Sequence, residues 1–158
     1  MTEKAARLPF IDVHERAIGA PAEDVWDALA VDVLPRLGGK AGPLVARILG
    51  CSYVRRPCAG DGLPQAIVGF RVAEALRPGL ISLEGQHRFS HYSLTFRIEP
   101  SGASQSQLSA ETRAAFPGLT GSLYRQAVIG SGGHRVAMHR LLAQIARRAE
   151  SSAAGGSS

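Results

Sequence analysis

The chain has 158 residues, 45% of them apolar and 20% charged, with a formal net charge of +5 carried almost wholly by arginine. That length suits one domain whose core needs no metal or disulfide staple, and the composition excludes extended disorder. No apolar run reaches the roughly 20 residues of a membrane-spanning helix, and the charged start MTEKAARLPF lacks the apolar stretch of a secretory leader, so a cytoplasmic location is expected.

Residues 8–18 read as a first strand, with Ile11, Val13, Glu15 and Ala17 on one face and Asp12, His14 and Arg16 on the other. Phe10 and Ile18 fall against that parity. Gly19-Ala20-Pro21 breaks the strand, and Pro21 suits the first position of a helix. Glu23 and Asp24 then sit where the helix dipole favours acids. Ala22, Val25, Trp26 and Leu29 make the apolar stripe of a short helix over 21–30. A second short helix is expected from Ala41, Leu44, Val45, Ile48 and Leu49, between Pro43 and Gly50. Residues 51–65 read as a loop with an edge strand near Tyr53, and its Cys51 and Cys58 fit neither redox nor zinc spacing, so two reduced thiols are expected.

From Ala66 an antiparallel meander follows. Val68, Phe70 and Val72 alternate with Ile67, Gly69 and Arg71, and Arg77-Pro78-Gly79 turns into a strand from Leu80 to Phe89. There Ile81, Leu83, Gly85, His87 and Phe89 share the apolar face, opposite Ser82, Glu84, Gln86 and Arg88. After a turn near Ser90-His91, Tyr92, Leu94, Phe96 and Ile98 repeat the pattern. Ser101 to Ser106 form a polar loop, and Leu108, Ala110, Thr112, Ala114 and Phe116 make the inner face of the last strand. A helix from about Leu119 to Ala149 closes the chain, with Leu123, Ala127, His134, Ala137, Met138, Leu141, Leu142 and Ile145 near one face. Three glycines in G-S-G-G at 130–133 cost it roughly 3 kcal/mol, which predicts a kink, a break or a close backbone approach. The expected organisation is one domain over 1–150 and a flexible tail over 151–158.

The order strand, two short helices, antiparallel meander and long C-terminal helix resembles the helix-grip fold of the START and Bet v 1-like (SRPBCC, polyketide cyclase/dehydrase-like) superfamily. A-I-G-A-P-A-E-D-V-W-D-A-L at 17–29 is similar to its usual opening. F-P-G-L-T-G-S-L-Y at 116–124, G-H at 133–134 and I-A-R-R at 145–148 are similar to a bacterial branch. The resemblance implies an α+β fold with a curved antiparallel sheet wrapped around the last helix, and a cavity for hydrophobic small molecules between them. No catalytic residue transfers by motif.

Parity and that cavity nominate His87, Phe89, Tyr92, Leu94, Phe96, Thr112, Tyr124, His134 and Met138 as ligand-lining residues. His87 offers an imidazole near neutral pH, Tyr92 a hydroxyl, and Glu15, if its face is inward, a carboxylic acid; these three are the candidate acid/base groups. Each also has a purely structural reading as a satisfied core or solvated edge residue. His87 and His91 would stand about 13 Å apart in an extended strand, too far for one ion. Neither a metal motif nor a dinucleotide fingerprint is present, so no metal and no cofactor are expected. The expected function is binding of a lipid-like or polyketide-like molecule by a monomer or homodimer, the alternative a cyclase or dehydratase. A third reading, a basic module for an acidic partner or nucleic acid, is disfavoured because no basic block exceeds two residues.

Overall fold

The computed structural model describes residues 8–36, 56–58, 64–67 and 69–155. Its strands are β1 (Phe10–Ile18), β2 (Arg56–Cys58), β3 (Pro64–Ile67), β4 (Phe70–Leu76), β5 (Leu80–His87), β6 (Ser90–Gly102) and β7 (Gln105–Ala115). They form one antiparallel sheet in the order β1-β7-β6-β5-β4-β3-β2. The alternation that marks a sheet with one covered face is cleanest in β7, where Ser106, Leu108, Ala110, Thr112 and Ala114 are buried. On the other face, Ser82 and Thr95 are joined at 3.2 Å, and ion pairs link Arg71 to Glu84 and Arg113 to Glu111.

Three expected strand boundaries move. The β5–β6 connection is a two-residue turn at Arg88-Phe89, because His87 pairs directly with Ser90. Phe89 therefore sits in the turn rather than on the inner face. Ile67 pairs with Phe70, so a hairpin turn interrupts the run from 66 to 72. Strand β6 continues to Gly102 and β7 begins at Gln105, so only 103–104 remain of the polar loop expected over Ser101 to Ser106. The stripe over 41–49, Tyr53 and Cys51 lie outside the described residues.

The largest correction concerns β1. Asp12 pairs with Thr112 and His14 with Ala110, both inner-face residues of β7, whereas Phe10 pairs with Arg113. Two residues of β1 thus oppose one of β7, a β-bulge at Ile11 that reverses the strand's parity. Asp12, His14 and Ile18 turn inward, His14 and Ile18 being buried; Val13 and Glu15 turn outward and are exposed. The driving residue is Ile18, 2% exposed, whose burial is worth roughly 1.5–3 kcal/mol and holds the phase of the strand.

Helix α1 (Ala22–Asp27) follows Pro21 as expected but continues through a π-helical turn (Ala28–Val33) and a 3₁₀ turn (Leu34–Arg36). The wider turn rotates Ala30, Val33 and Leu34 onto the buried side already occupied by Val25, Trp26 and Leu29. Arg77, in the β4–β5 turn, reaches Glu23 at 2.7 Å and Asp27 at 3.2 Å, an exposed tie that orients α1.

The predicted last helix is two. Helix α2 (Gly118–Arg125) runs into a π-helical stretch (Gln126–Gly130), and α3 (Gly133–Gly155) follows the break. Gly132 supplies the change of direction with φ of 74°, a left-handed conformation that a side chain resists. Helix α3 continues past Ala149 to Gly155. It packs on α1 and β1 through a buried face that includes Met138, Leu142, Ile145, Ala146 and Ala149.

Candidate functional site

The register stacks the concave face into rows. Asp12, Thr112, Leu94 and Leu83 form one row, and His14, Ala110, Phe96 and Ile81 the row below it. Above lie Ala114, Tyr92 and Gly85, and above these the end pair Ser90 and His87. Leu83, Phe96 and Ile81 are fully buried and Leu94 nearly so, giving an apolar floor that faces the helices; Met138 of α3 is buried too. Truncating a residue such as Phe96 would cost about 3–5 kcal/mol. Polar groups interrupt this floor in two places, about 13 Å of strand apart.

The first is at the turn end of the sheet. His87 Nδ1 accepts the Phe89 backbone N–H at 3.1 Å, so that nitrogen carries the lone pair; Nε2 therefore carries the proton and reaches Ser90 Oγ at 3.1 Å. Burial pushes the imidazole below its ordinary pKa, and the neighbouring His91 adds to the shift. Both nitrogens are occupied, which makes His87 a brace of the hairpin and leaves general-base work to require loss of the Phe89 hydrogen bond. The Phe89 ring stands edge-on to His87, with centroids 6.1 Å apart. Tyr92 donates its hydroxyl to the Gly69 carbonyl at 2.6 Å, and its ring lies across Gly85 and edge-on to Phe70 at 5.0 Å. Its polar handle ties β6 to the β3–β4 turn.

The second interruption joins β1, β7 and α3. Asp12 Oδ2 is 3.2 Å from His14 Nε2, and Asp12 Oδ1 is 3.3 Å from His134 Nε2. A carboxylate only accepts hydrogen bonds, so both imidazoles present Nε2–H to it. Thr112 Oγ1 lies 3.2 Å from the same His134 nitrogen, and His139 packs edge-on against His14 with centroids 4.8 Å apart. Because Thr112 and Asp12 meet one nitrogen rather than opposite ones, the cluster is no nucleophilic triad, in which the base must bridge its two partners. The His14 and His134 ring centroids are 6.4 Å apart, on either side of the carboxylate. Among the described residues no group of three or more His, Cys, Asp or Glu is arranged to hold a metal ion.

Of the residues nominated from sequence, His87 and Tyr92 meet at the turn end, with ring centroids 5.5 Å apart. Leu94 and Phe96 belong to the floor, and Thr112 and His134 meet each other. Tyr124 lies on α2, with its side chain outside the described residues. Glu15 leaves the candidate acid/base set, since it is exposed on the outer face beside Gln107 at 3.5 Å. Asp12, His14 and His139 were missed. The signal for Asp12 and His14 was present in the misfit of Ile18, which places them on its own face three and two alternations earlier.

A long C-terminal helix packed against an antiparallel sheet whose first strand lies beside the last, with short helices after that first strand, decides the architecture. The chain has the helix-grip fold. Solved structures with this fold include the Zhui aromatase/cyclase from Streptomyces sp. R1128, at TM-score 0.51 and 16% identity, covering 93% of this chain and 94% of that one. A norcoclaurine synthase point mutant from Thalictrum flavum, in complex with a transition-state analogue, matches at TM-score 0.50 and 15% identity over 90% of this chain and 97% of that one. Protein CV1439 from Chromobacterium violaceum matches at TM-score 0.51 and 15% identity, covering 90% and 99%. No family model and no curated protein matches the chain. No described helix of this helix-grip chain is long and apolar enough to cross a membrane.

Proposed function

We propose that this helix-grip domain binds a hydrophobic or aromatic small molecule between the concave sheet face and the C-terminal helices. The observation that carries the reading is the composition of that face: an apolar floor of Leu83, Leu94 and Phe96 with polar groups confined to its two ends, the usual make-up of a ligand site. The shared fold of an aromatase/cyclase and of a norcoclaurine synthase holding a transition-state analogue supports it by analogy. The working unit is one domain over residues 1–150, acting in the cytoplasm as a monomer or homodimer. Native mass spectrometry of protein purified without detergent tests the reading. A specific adduct released on denaturation identifies the ligand class; a bare mass from native and extract-incubated protein alike argues against it.

A second reading, an enzyme of the cyclase or dehydratase type, is favoured by the Asp12 carboxylate holding His14 and His134 beside the inward Thr112. Here His134, oriented by Asp12, is the acid/base group in place of Glu15. With the retained molecule in hand, His134→Asn should abolish its turnover while leaving affinity largely intact. Equal loss of both would leave the binding reading alone.

A further inference from the structure

The charge of this chain is segregated. Between Thr112 and Ala149 there are six arginines and no aspartate or glutamate, which leaves 12 cationic against 13 acidic residues elsewhere. That stretch is essentially α2 and α3. Arg125, Arg135, Arg140, Arg147 and Arg148 are all exposed on it, and among the described residues none of them takes part in an ion pair. Five arginines on α2 and α3, with no acid before Glu150, make a positive stretch and not a solvated mixture of both signs; the sixth, Arg113, belongs to β7 and pairs with Glu111.

The same stretch carries exposed apolar bulk. Leu119 is 86% exposed and Leu123 73%, one helical turn apart on α2, and Val136 at the start of α3 is 50% exposed. The orientation of α2 follows from Gly121, which is buried. A Cβ there would stand 3.0 Å from the Phe116 carbonyl oxygen and 3.1 Å from that of Phe89. Leu119 and Leu123 lie two positions to either side, about 200° around the helix, so they point away from the sheet. Gly121 thus seats α2 at the end of the molecule where the β5–β6 turn lies; Arg88 in that turn is exposed, its guanidinium 5.7 Å from the Phe89 ring centroid.

We infer that α2 and the first turns of α3 dock on an anionic lipid bilayer, with Leu119 and Leu123 entering the acyl boundary and the arginines meeting headgroup phosphates. Two exposed leucines in an acid-free, arginine-bearing stretch, with a glycine on the opposite side of the helix towards the sheet, have the form of an interfacial segment. A nucleic acid would use the arginines but leave both leucines in water. A stable protein interface needs about 1,200 Å² or more, which so small an apolar area does not supply. This docking is independent of what the concave face binds.

The test is co-sedimentation of the full chain with sucrose-loaded vesicles of phosphatidylcholine alone and of phosphatidylcholine mixed with phosphatidylglycerol, at low and high salt. Binding is expected on the anionic vesicles only, falling steeply with salt. Arg125→Gln and Arg135→Gln should each weaken it about five-fold, the ~1 kcal/mol one cation contributes near an anionic surface. Leu119→Ser with Leu123→Ser should weaken it about ten-fold or more, with the circular-dichroism spectrum and thermal midpoint unchanged because both side chains are exposed. Absence of partitioning, equal partitioning on neutral vesicles, or full binding by the leucine variant overturns the inference. So does preference for duplex DNA over anionic vesicles with no loss in the leucine variant.

Discussion

Gly85→Ala tests how the turn end of the concave face is built. Gly85 lies inside β5, where an alanine would ordinarily stabilise the strand by about 0.5–1 kcal/mol by limiting the unfolded chain. Here an ideal Cβ would sit 2.2 Å from the Gly69 carbonyl oxygen and 2.3 Å from a Tyr92 ring carbon. The carbonyl is backbone, and the ring is pinned by its 2.6 Å hydrogen bond to that same oxygen, so neither gives cheaply. Overpacking costs about 1–3 kcal/mol and loss of the tyrosine hydrogen bond about 1 more. The cost of about 2–4 kcal/mol exceeds the entropic gain and leaves a net of about 1–3.5 kcal/mol, which lowers Tm by about 3–10 °C in a chain of this size. Urea unfolding followed by Trp26 fluorescence measures it. In a Tyr92→Ala background the ring clash is gone and the carbonyl clash remains, so Gly85→Ala should cost about 1–2 kcal/mol less than in the wild type. A Gly85→Ala midpoint at or above wild type, or an equal cost in both backgrounds, refutes the reasoning.

The remaining expectations concern the two polar ends. Burial holds the His87 pKa below its ordinary 6.5, so below pH 6.5 the unfolded chain takes up the proton first. Stability should thus be constant in this respect above pH 6.5 and fall on acidification down to the folded pKa; His87→Gln should flatten that part of the urea midpoint against pH, and an unchanged profile refutes the assignment. Asp12→Asn leaves one imidazole N–H without its acceptor and should cost about 1–3 kcal/mol, with faster amide exchange in the first turn of α3. Glu15→Gln, on the outer face, should stay within about 0.5 kcal/mol of wild type; a reversed order of these two costs would mean the bulge in β1 is wrong.

Much of the sheet was legible from the residues, because a period of two that persists through Ile81, Leu83, Leu94, Phe96, Ile98, Leu108 and Ala110 admits one register with a dry side. His87, Tyr92 and Thr112 were placed on the inner face by the same rule, and His134 was nominated from the helical stripe of the last helix. Legibility failed where the period was broken. In β1 the alternating Ile11 and Val13 outweighed Ile18, and a bulge has no local signature when the bulged residue is itself apolar. The His87–Ser90 pairing displaced the β5–β6 turn by two residues, since neither Arg88 nor Phe89 is a turn-forming residue that would have marked it.

The residues by themselves determined the class of fold, the inward set of the central strands, the acid-rich start of α1 and the interruption at 130–133, because each rests on local periodicity, dipole or backbone freedom. They also contained, unnoticed in the total of +5, an acid-free stretch from Thr112 to Ala149. Tertiary structure alone decided that Asp12 and His14 meet His134 across 120 or more positions of chain, that Glu15 faces water, and that Leu119 and Leu123 point outward. These are contacts between elements. They depend on register at a bulge and on which side of a short helix lies on a glycine, and no local pattern encodes either.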